Sequence, residues 1–310
     1  AAKALGLSAS TKRSPFADVS DGYVTALYQN GVVVGEKSGG KRYFKPDNSI
    51  TRAELSVIVW QVMSFDDYIH FSSHVLEKLD GVPVNRYDNA AFVKTDGRME
   101  YVGGDRASLA GVDVSSHQGT VDWAKVAADG IDFVIIRCGG RYYGSGKVFE
   151  DKQFKSNIQG ALDAGLQVGV YFFSQATTVR EAEEEADYVL EAIRNYPVTY
   201  PVVFDWEFID GQQARTDEID GERMTECAKT FCELVQAGGY TPMVYFNQEQ
   251  GYLYYQLDQL DGFSFWLAEY DEKPDFFYHF AMWQYTHTGT VPGIPGNVDL
   301  NLAFQDLSKK

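Results

Sequence analysis

The sequence predicts an α/β fold, an irregular (β/α) barrel with a small helical module before it. From residue 110 onward, runs of β-branched and aromatic residues alternate with amphipathic helical patterns, which is typical of a parallel sheet with crossover helices. About 200 residues hold seven or eight such runs, which suits a closed or nearly closed barrel. An open doubly wound sheet is the alternative, but the chain has no GxGxxG turn and no phosphate-loop motif.

Three parts follow from these patterns. Residues 1–64 are predicted to form the helical module, residues 65–109 a partly structured linker, and residues 110–310 the barrel. A chain of 310 residues exceeds one average domain, which fits a large domain with a smaller one attached.

The module shows two short helical patterns separated by a glycine-rich loop. The first runs from Tyr23 to Tyr28 and ends at Gly31, and the second opens at Thr51. Thr51 and Glu54 fit a capping box, in which each side chain accepts a hydrogen bond from the other residue's backbone N–H. Apolar residues then recur at helical spacing through the second helix.

The linker has two patterns of its own. Residues 74–79, HVLEKL, fit a short helix. The apolar runs at 92–93 and 99–102 flank Asp96-Gly97, a dipeptide favoured in hairpin loops because both positions need a positive φ angle. A β-hairpin is therefore predicted there.

The predicted barrel strands are short apolar runs bounded by turn residues. They read GVDVSS (111–116), FVIIRCG (133–139), VGVYFFS (168–174), PVVFDWE (201–207), PMVYFN (242–247), FWLAEY (265–270) and AMWQYT (281–286). Helical patterns stand between the earlier runs, over residues 154–165, 178–193 and 224–238.

Composition excludes several classes of partner. A net charge of −17 argues against nucleic acid and anionic membrane surfaces. No run of about 18 apolar residues exists, so no membrane span is predicted. Histidines and the three cysteines have no metal-ligand spacing, and Cys227 and Cys232, five apart on one helix, are not expected to bridge. Neither a metal nor a cofactor is predicted.

Two carboxylates lie one residue apart at the end of the run 201–207. Side chains alternate along a strand, so Asp205 and Glu207 are expected on one face, with Cα atoms ~6.6 Å apart. In a barrel, the carboxyl ends of the strands converge on the active site. Asp113 ends the first run, Gln284 lies on the last listed one and Asp299 follows in NVDLN, so these polar residues are expected to meet there.

These same stretches resemble glycoside hydrolase family 25. The matching motifs are GVDVSSHQG (111–119), VGVYFFSQA (168–176), FDWE (204–207), WLAEY (266–270), MWQYT (282–286) and GNVDLN (296–301), in the family's order. The resemblance implies a lysozyme with an irregular (β/α) barrel. It implies cleavage of the peptidoglycan bond between N-acetylmuramic acid and N-acetylglucosamine.

Site roles are implied by the same resemblance. Glu207 corresponds to the general acid, and Asp205, Asp113 and Asp299 correspond to the other acids of the site. The substrate-lining positions are occupied by Tyr171, Tyr245, Trp266, Tyr270, Trp283 and Gln284. The alternative for each aromatic residue is packing in the barrel core. For Trp266, core packing and sugar contact are equally supported. His117 is interpreted as a loop residue and not as a catalytic base.

The spacing of Asp205 and Glu207 fits retention of configuration better than inversion. Carboxyl groups lie ~5–5.5 Å apart in retaining enzymes and ~6.5–9.5 Å apart in inverting ones. A covalent intermediate on Asp205 and participation of the substrate's own 2-acetamido group both give retention, and the resemblance favours the second. Two other functions stay open: a barrel that binds cell wall without turnover, and a chitinase-like hydrolase. The latter carries acids upstream on this strand, where Val202 and Val203 stand here.

The module resembles an S-layer homology repeat. The matching pieces are FADVS (16–20), NGVVVG (30–35) and YFKPDNSITRAE (43–54). The resemblance implies binding to a secondary cell-wall polymer, with Arg52 contributing; a solvated first-turn side chain is the alternative for Arg52. Peptidoglycan glycan strands and this polymer are thus the expected partners of a secreted or wall-associated protein.

Overall fold

The computed structural model describes residues 1–72, 74–104 and 107–308. It contains two compact units, Ala1–Asp80, called the N-terminal unit, and Gly81–Lys310, called the barrel unit.

The N-terminal unit is built from two helices and two short hairpins. Its elements are α1 (Gly22–Gln29), β1 (Glu36–Ser38), β2 (Lys41–Tyr43), α2 (Arg52–Met63), β3 (Tyr68–Phe71) and β4 (His74–Glu77). Both predicted helices are confirmed, and the capping box of Thr51 and Glu54 forms at the start of α2. A small core joins the first residues of the chain to α1 and to the end of α2, through Ala2, Leu27 and Val62.

The helix predicted over residues 74–79 is wrong, because this segment forms β4. It pairs antiparallel with β3, and Val75 packs against Gly31 at the end of α1. An isolated helix of six residues is unstable, since its nucleation cost is not recovered over so few hydrogen bonds. Pairing with a neighbouring strand satisfies the same backbone groups.

The barrel unit begins with a hairpin and continues with the barrel. Its strands are β5 (Phe92–Thr95), β6 (Arg98–Tyr101), β7 (Leu109–Val114), β8 (Phe133–Arg141), β9 (Val148–Glu150), β10 (Gln167–Ser174), β11 (Val202–Trp206), β12 (Pro242–Asn247), β13 (Ser264–Ala268), β14 (Met282–Gly289) and β15 (Val298–Ala303). Its helices are α3 (Trp123–Ala128), α4 (Phe154–Asp163), α5 (Val179–Ile193), α6 (Gly221–Ala237) and α7 (Gln248–Leu253).

The predicted irregular barrel is confirmed. Its strands follow the order β10-β11-β12-β13-β14-β15-β7-β8, and pairing of β8 with β10 closes the ring. β9 pairs outside the ring, on β8. The irregularity lies at β15, which runs antiparallel to both of its neighbours, β14 and β7.

Helices cover only part of the barrel's outer surface. Among the described residues, no α-helix lies between β13 and β15. The residues before β7 cover this side instead: Tyr87 stacks on Phe304 with ring centroids 3.9 Å apart, and its hydroxyl donates to the Phe280 carbonyl at 2.7 Å. Phe92 contacts Trp283 edge-on.

The predicted hairpin at Asp96-Gly97 is confirmed by β5 and β6. Asp96 and Gly97 have φ angles of 51° and 84°, as a two-residue loop of this kind requires.

Side-chain alternation on β11 separates the barrel interior from the helix layer. Val203 packs into the inner apolar cluster, while Phe204 points outward onto Phe231 of α6. The inward row of Val203 therefore continues through Asp205 to Glu207, at the carboxyl end of the strand. All three cysteines are free and buried. The described residues include no helix with the length and apolar character needed to cross a bilayer.

A candidate active site at the carboxyl end of the barrel

A recess of about 180 Å³ opens at the carboxyl ends of the barrel strands. It is lined by Asp113, Tyr171, Asp205, Glu207, Tyr245, Trp266, Tyr270, Gln284 and Asp299. These residues come from seven strands or the loops that follow them, and every one was singled out in the sequence. The recess therefore brings four carboxyl groups and four aromatic rings together. Asp299 reaches it from the amino end of β15, because this strand runs antiparallel to its neighbours.

Trp283 is the predicted barrel site residue that lies elsewhere. Its neighbour Gln284 points into the barrel, so alternation turns Trp283 outward. There it is fully buried, and its indole N–H donates to the Glu269 carbonyl at 2.9 Å. Arg52 is exposed at the start of α2 in the N-terminal unit, and His117 is exposed in a short 3-10 turn after β7.

Asp205 and Glu207 lie side by side in the recess. Their carboxyl groups are within hydrogen-bonding reach of each other. Asp205 is only 4% exposed, and its Oδ1 has no hydrogen-bond partner among the described residues. A buried carboxylate oxygen without a donor is costly, so this atom is available to a ligand or a proton.

Burial raises the pKa of every acid in the recess. The pKa of Asp205 is well above its usual range because of desolvation and, next, the charge of Glu207. Desolvation also raises the pKa of Glu207, while its hydrogen bond with Asp205 acts in the opposite direction. The two groups titrate as a pair, so one proton shared between them persists to higher pH than on an isolated carboxyl.

Asp113 and Asp299 form a second pair of acids. They lie directly opposite each other on the antiparallel strands β7 and β15. Desolvation and the charge of Asp299 raise the pKa of Asp113 well above its usual range, and desolvation raises that of Asp299. Two amide groups favour the anionic form of Asp113: Nδ2 of Asn301 and Nε2 of Gln284 donate to its Oδ2 at 2.8 and 2.9 Å.

The aromatic residues of the recess orient these amides. The hydroxyls of Tyr245 and Tyr270 both donate to Oε1 of Gln284, at 2.9 and 2.7 Å. Trp266 donates its indole N–H to Oδ1 of Asn301 at 3.0 Å. Each amide therefore has its oxygen occupied and its NH₂ group directed at Asp113.

Two residues near the acids were not assigned a role from the sequence. Asn301 stands two positions after Asp299 on β15, so side-chain alternation could have placed it on the same face. Arg137 on β8 pairs with buried Asp151 at 2.8 Å and lowers the pKa of Asp205 by its charge. Nothing in its apolar run, FVIIRCG, indicates this role. No group of three or more potential metal-ligating acid, histidine or cysteine side chains occurs among the described residues.

Two family models match the chain. The model described as glycosyl hydrolases family 25 matches residues 112–294, and the S-layer homology domain model matches residues 15–56. The first match covers more than half of the chain and contains most of the recess. The second lies entirely within the N-terminal unit.

Two curated relatives carry the name lysozyme. The chain is 27% identical over 198 residues to an autolytic lysozyme of Clostridium acetobutylicum, covering 62% of this chain and 55% of the relative. It is 27% identical over 217 residues to lysozyme M1 of Streptomyces globisporus, covering 64% and 68%. The chain thus spans about half the length of the first of these relatives.

Solved structures share the fold. The modular autolysin LytC of Streptococcus pneumoniae, in complex with a synthetic peptidoglycan ligand, matches with a TM-score of 0.56 at 26% identity, covering 76% of this chain and 56% of that one. A family 25 glycosyl hydrolase from Bacillus anthracis matches with a TM-score of 0.55 at 24% identity, covering 67% and 94%.

Proposed function

The chain belongs to glycosyl hydrolases family 25, and from this premise we propose that it cleaves peptidoglycan between N-acetylmuramic acid and N-acetylglucosamine. The observation that carries the proposal is the pair Asp205 and Glu207, buried together in a recess lined by acids and aromatic rings. Glycoside hydrolysis needs one carboxyl that donates a proton and a second group that stabilises positive charge on the sugar.

Glu207 is proposed as the general acid. It follows the last residue of β11 and is less buried than Asp205, so it faces the opening through which the glycosidic oxygen arrives. Its raised pKa keeps the proton on Glu207 to higher pH than on a carboxyl with its ordinary pKa.

Asp205 is proposed to stabilise the intermediate of a retaining, substrate-assisted reaction. The 2-acetamido N–H of the muramic acid unit is a suitable donor for the unpartnered Oδ1 of Asp205. Such a hydrogen bond favours the ionised form of Asp205, so the shared proton moves to Glu207, where the reaction needs it. Substrate binding would in this way prepare both carboxyls.

Asp113 and Asp299 are proposed to complete the electrostatic environment. The charge of Asp299 opposes ionisation of Glu207. Negative charge on both acids favours the oxocarbenium-like transition state. Tyr171 and Tyr270 are the more exposed rings of the recess and are proposed to contact the sugars. Tyr245 and Trp266 line the recess behind them and are only 8% and 2% exposed. Gln284 is proposed to act on the site indirectly. It donates a hydrogen bond to Asp113 and accepts hydrogen bonds from the hydroxyls of Tyr245 and Tyr270.

The N-terminal unit is proposed to hold the enzyme at the wall through a secondary polymer. Although the chain carries a net charge of −17, a recess of about 850 Å³ in this unit is lined by Arg13, Lys37, Lys41 and Arg42. Cations grouped around one recess suit an anionic polymer. Arg52 is proposed as a further contact. A protein with both partners in the wall would act outside the cell.

Product analysis tests the proposed bond. Purified peptidoglycan is digested, and the new reducing ends are identified by mass spectrometry. We expect muramic acid at these ends; glucosamine would contradict the proposal and favour a chitinase-like cut. An initial β-anomer in proton NMR would support retention, and loss of turnover on N-deacetylated muramic acid would favour acetamido participation over a covalent intermediate on Asp205.

Glu207→Gln is the matched control for this assay. The amide has nearly the same shape but cannot donate a titratable proton, so turnover should fall by ~10²–10⁴-fold or more. Retained sedimentation with insoluble peptidoglycan would show that binding survives. Near-wild-type turnover by a folded Glu207→Gln protein would remove Glu207 from the mechanism, and no turnover by the wild type would indicate a barrel that only binds.

A further inference from the structure

The backbone of the proposed acid lies at the edge of the sheet. Pairing of β11 with β12 ends at Asp205, and pairing with β10 ends at Trp206. Glu207 is therefore the first residue past the strand ladder. A catalytic side chain in such a place needs other groups to hold its main chain, because loops are less restrained than strands.

Two buried glutamine side chains bind the main chain at this point. Nε2 of Gln175, just after β10, donates to the Glu207 carbonyl at 2.8 Å. Nε2 of Gln250, on α7, donates to the Trp206 carbonyl at 2.6 Å. Their exposed fractions are 0% and 1%, so neither amide exchanges these bonds with water.

Each amide is itself held in one orientation. Gln175 accepts from the Thr216 hydroxyl at 2.9 Å through its Oε1 and donates a second hydrogen bond to the Ser174 carbonyl at 3.0 Å. Gln250 accepts from the backbone N–H of Asn247 through its Oε1, within the capping box of α7. The donors that reach residues 206 and 207 are thus preorganised.

An ion pair holds the loop that follows Glu207 against the start of α5. Arg215 binds both carboxylate oxygens of Glu181, at 2.9 and 2.6 Å, and donates to the Gln175 main-chain carbonyl at 2.9 Å. Glu181 also accepts from the Thr177 backbone N–H at the start of α5. Residues 175–177 are consequently fixed to the loop that leaves the site.

We propose that Gln175 and Gln250 are positioning residues that set the distance between Glu207 and Asp205 through the carbonyls of residues 206 and 207. The inference rests on the proposed role of Glu207 as the acid. Neither glutamine lines the recess, so neither touches substrate. Their effect is on proton sharing in the acid pair and on the approach of the acid to the glycosidic oxygen, where a displacement of 1 Å can cost ~10²-fold in rate.

The test compares variants on soluble peptidoglycan fragments across pH. Gln175→Met and Gln250→Met keep the length of the side chain and remove the amide. We expect kcat to fall by ~10–10²-fold with KM changed less than ~3-fold, because the residues act on orientation and not on substrate contact. The basic limb of the pH profile should also move, since proton sharing depends on the geometry of the pair.

Two further variants separate positioning from stability. Thr225→Val removes hydrogen bonds of a buried hydroxyl on α6 and is the control for a general loss of stability; its kcat and pH profile should stay at wild-type values. Thr216→Val leaves Gln175 in place without its orienting hydroxyl. It should reproduce in part the fall in kcat and the pH shift of Gln175→Met. If the methionine variants do not fold, Thr216→Val alone tests the positioning role of Gln175.

The outcomes distinguish this inference from the function on which it rests. Wild-type kcat and pH limbs in Gln175→Met and Gln250→Met, beside an inactive Glu207→Gln, would overturn the positioning role and leave the acid assigned. Equal effects in the Thr225→Val control would also overturn it. An active Glu207→Gln would instead overturn the proposed function.

Discussion

Replacing Asp205 by asparagine tests the coupling of the two central carboxyls. In the wild type the pair shares a proton, so the basic limb of the pH–rate profile reports loss of the last proton from the pair. In Asp205→Asn only Glu207 titrates, next to an amide that can still donate a hydrogen bond to its anion. Both features place the pKa of Glu207 in the variant below the pKa for loss of the last proton from the wild-type pair.

The size of this shift follows from the contact between the groups. Carboxyl charges about 4–6 Å apart interact by ~3–4 kcal/mol at an effective dielectric constant of about 20. Since ~1.4 kcal/mol corresponds to one pKa unit, the last deprotonation should move down by about 2 to 3 pH units. The rate at the optimum should fall by at least ~10²-fold, because several kcal/mol of stabilisation at the anomeric centre are lost.

The assay is kcat/KM on soluble peptidoglycan fragments from pH 4 to pH 9. Residual activity of Asp205→Asn should be restricted to the acidic side of the wild-type optimum. Asp187→Asn is a suitable control, because Asp187 is exposed on α5 and lies outside the recess lining. A basic limb that keeps its wild-type position in Asp205→Asn would show that the two carboxyls are not coupled.

Three further predictions concern stability and the N-terminal unit. The four acids of the recess have raised pKa values, so the folded protein binds more protons than the unfolded one. Its stability should therefore decline as pH rises from about 4 through those raised values. Asp205→Asn should raise Tm at pH 7.5 and flatten the pH dependence of Tm, and an unchanged calorimetric Tm would refute this. Tyr87→Ala should lower the free energy of unfolding of the fragment 81–310 by about 2–4 kcal/mol in urea titrations, because Tyr87 packs on the barrel. Val93 is exposed, so Val93→Ala should change this free energy little. Equal losses in the two variants would contradict a covering role for this segment. The same fragment should match the full chain on soluble fragments and fall below it on intact sacculi, because tethering raises local concentration; equal activity on both substrates would leave the N-terminal unit without a role in wall binding.

Short-range chemistry explains why much of the site could be predicted from the sequence. A strand buries alternate side chains, so the spacing of Asp205 and Glu207 is sufficient to place both on the inner face. Parallel strands present their carboxyl ends at one edge, so the acids at the ends of β7 and β11 meet without any knowledge of loops. Asp299 joins them only because β15 is antiparallel, which the sequence did not predict. The capping box at Thr51 and the Asp96-Gly97 turn were predictable for the same reason, because each depends on adjacent residues alone.

Contacts between distant parts of the chain required the tertiary structure. The pattern at residues 74–79 suits a helix, but a strand partner overrides it. The outward turn of Trp283 depends on which face of β14 the barrel encloses, and its aromatic cover comes from residues 81–104, far away in sequence.

The orientation of the acids was also decided at long range. Asn301 reaches Asp113 across 188 positions, and Gln250 reaches Trp206 across 44. No local pattern marks an asparagine or glutamine for such a bond, because its partner is a buried atom created only by folding. The sequence by itself therefore determined which residues carry the proposed chemistry, whereas the packed barrel decided which protons they share and which neighbours hold them in place.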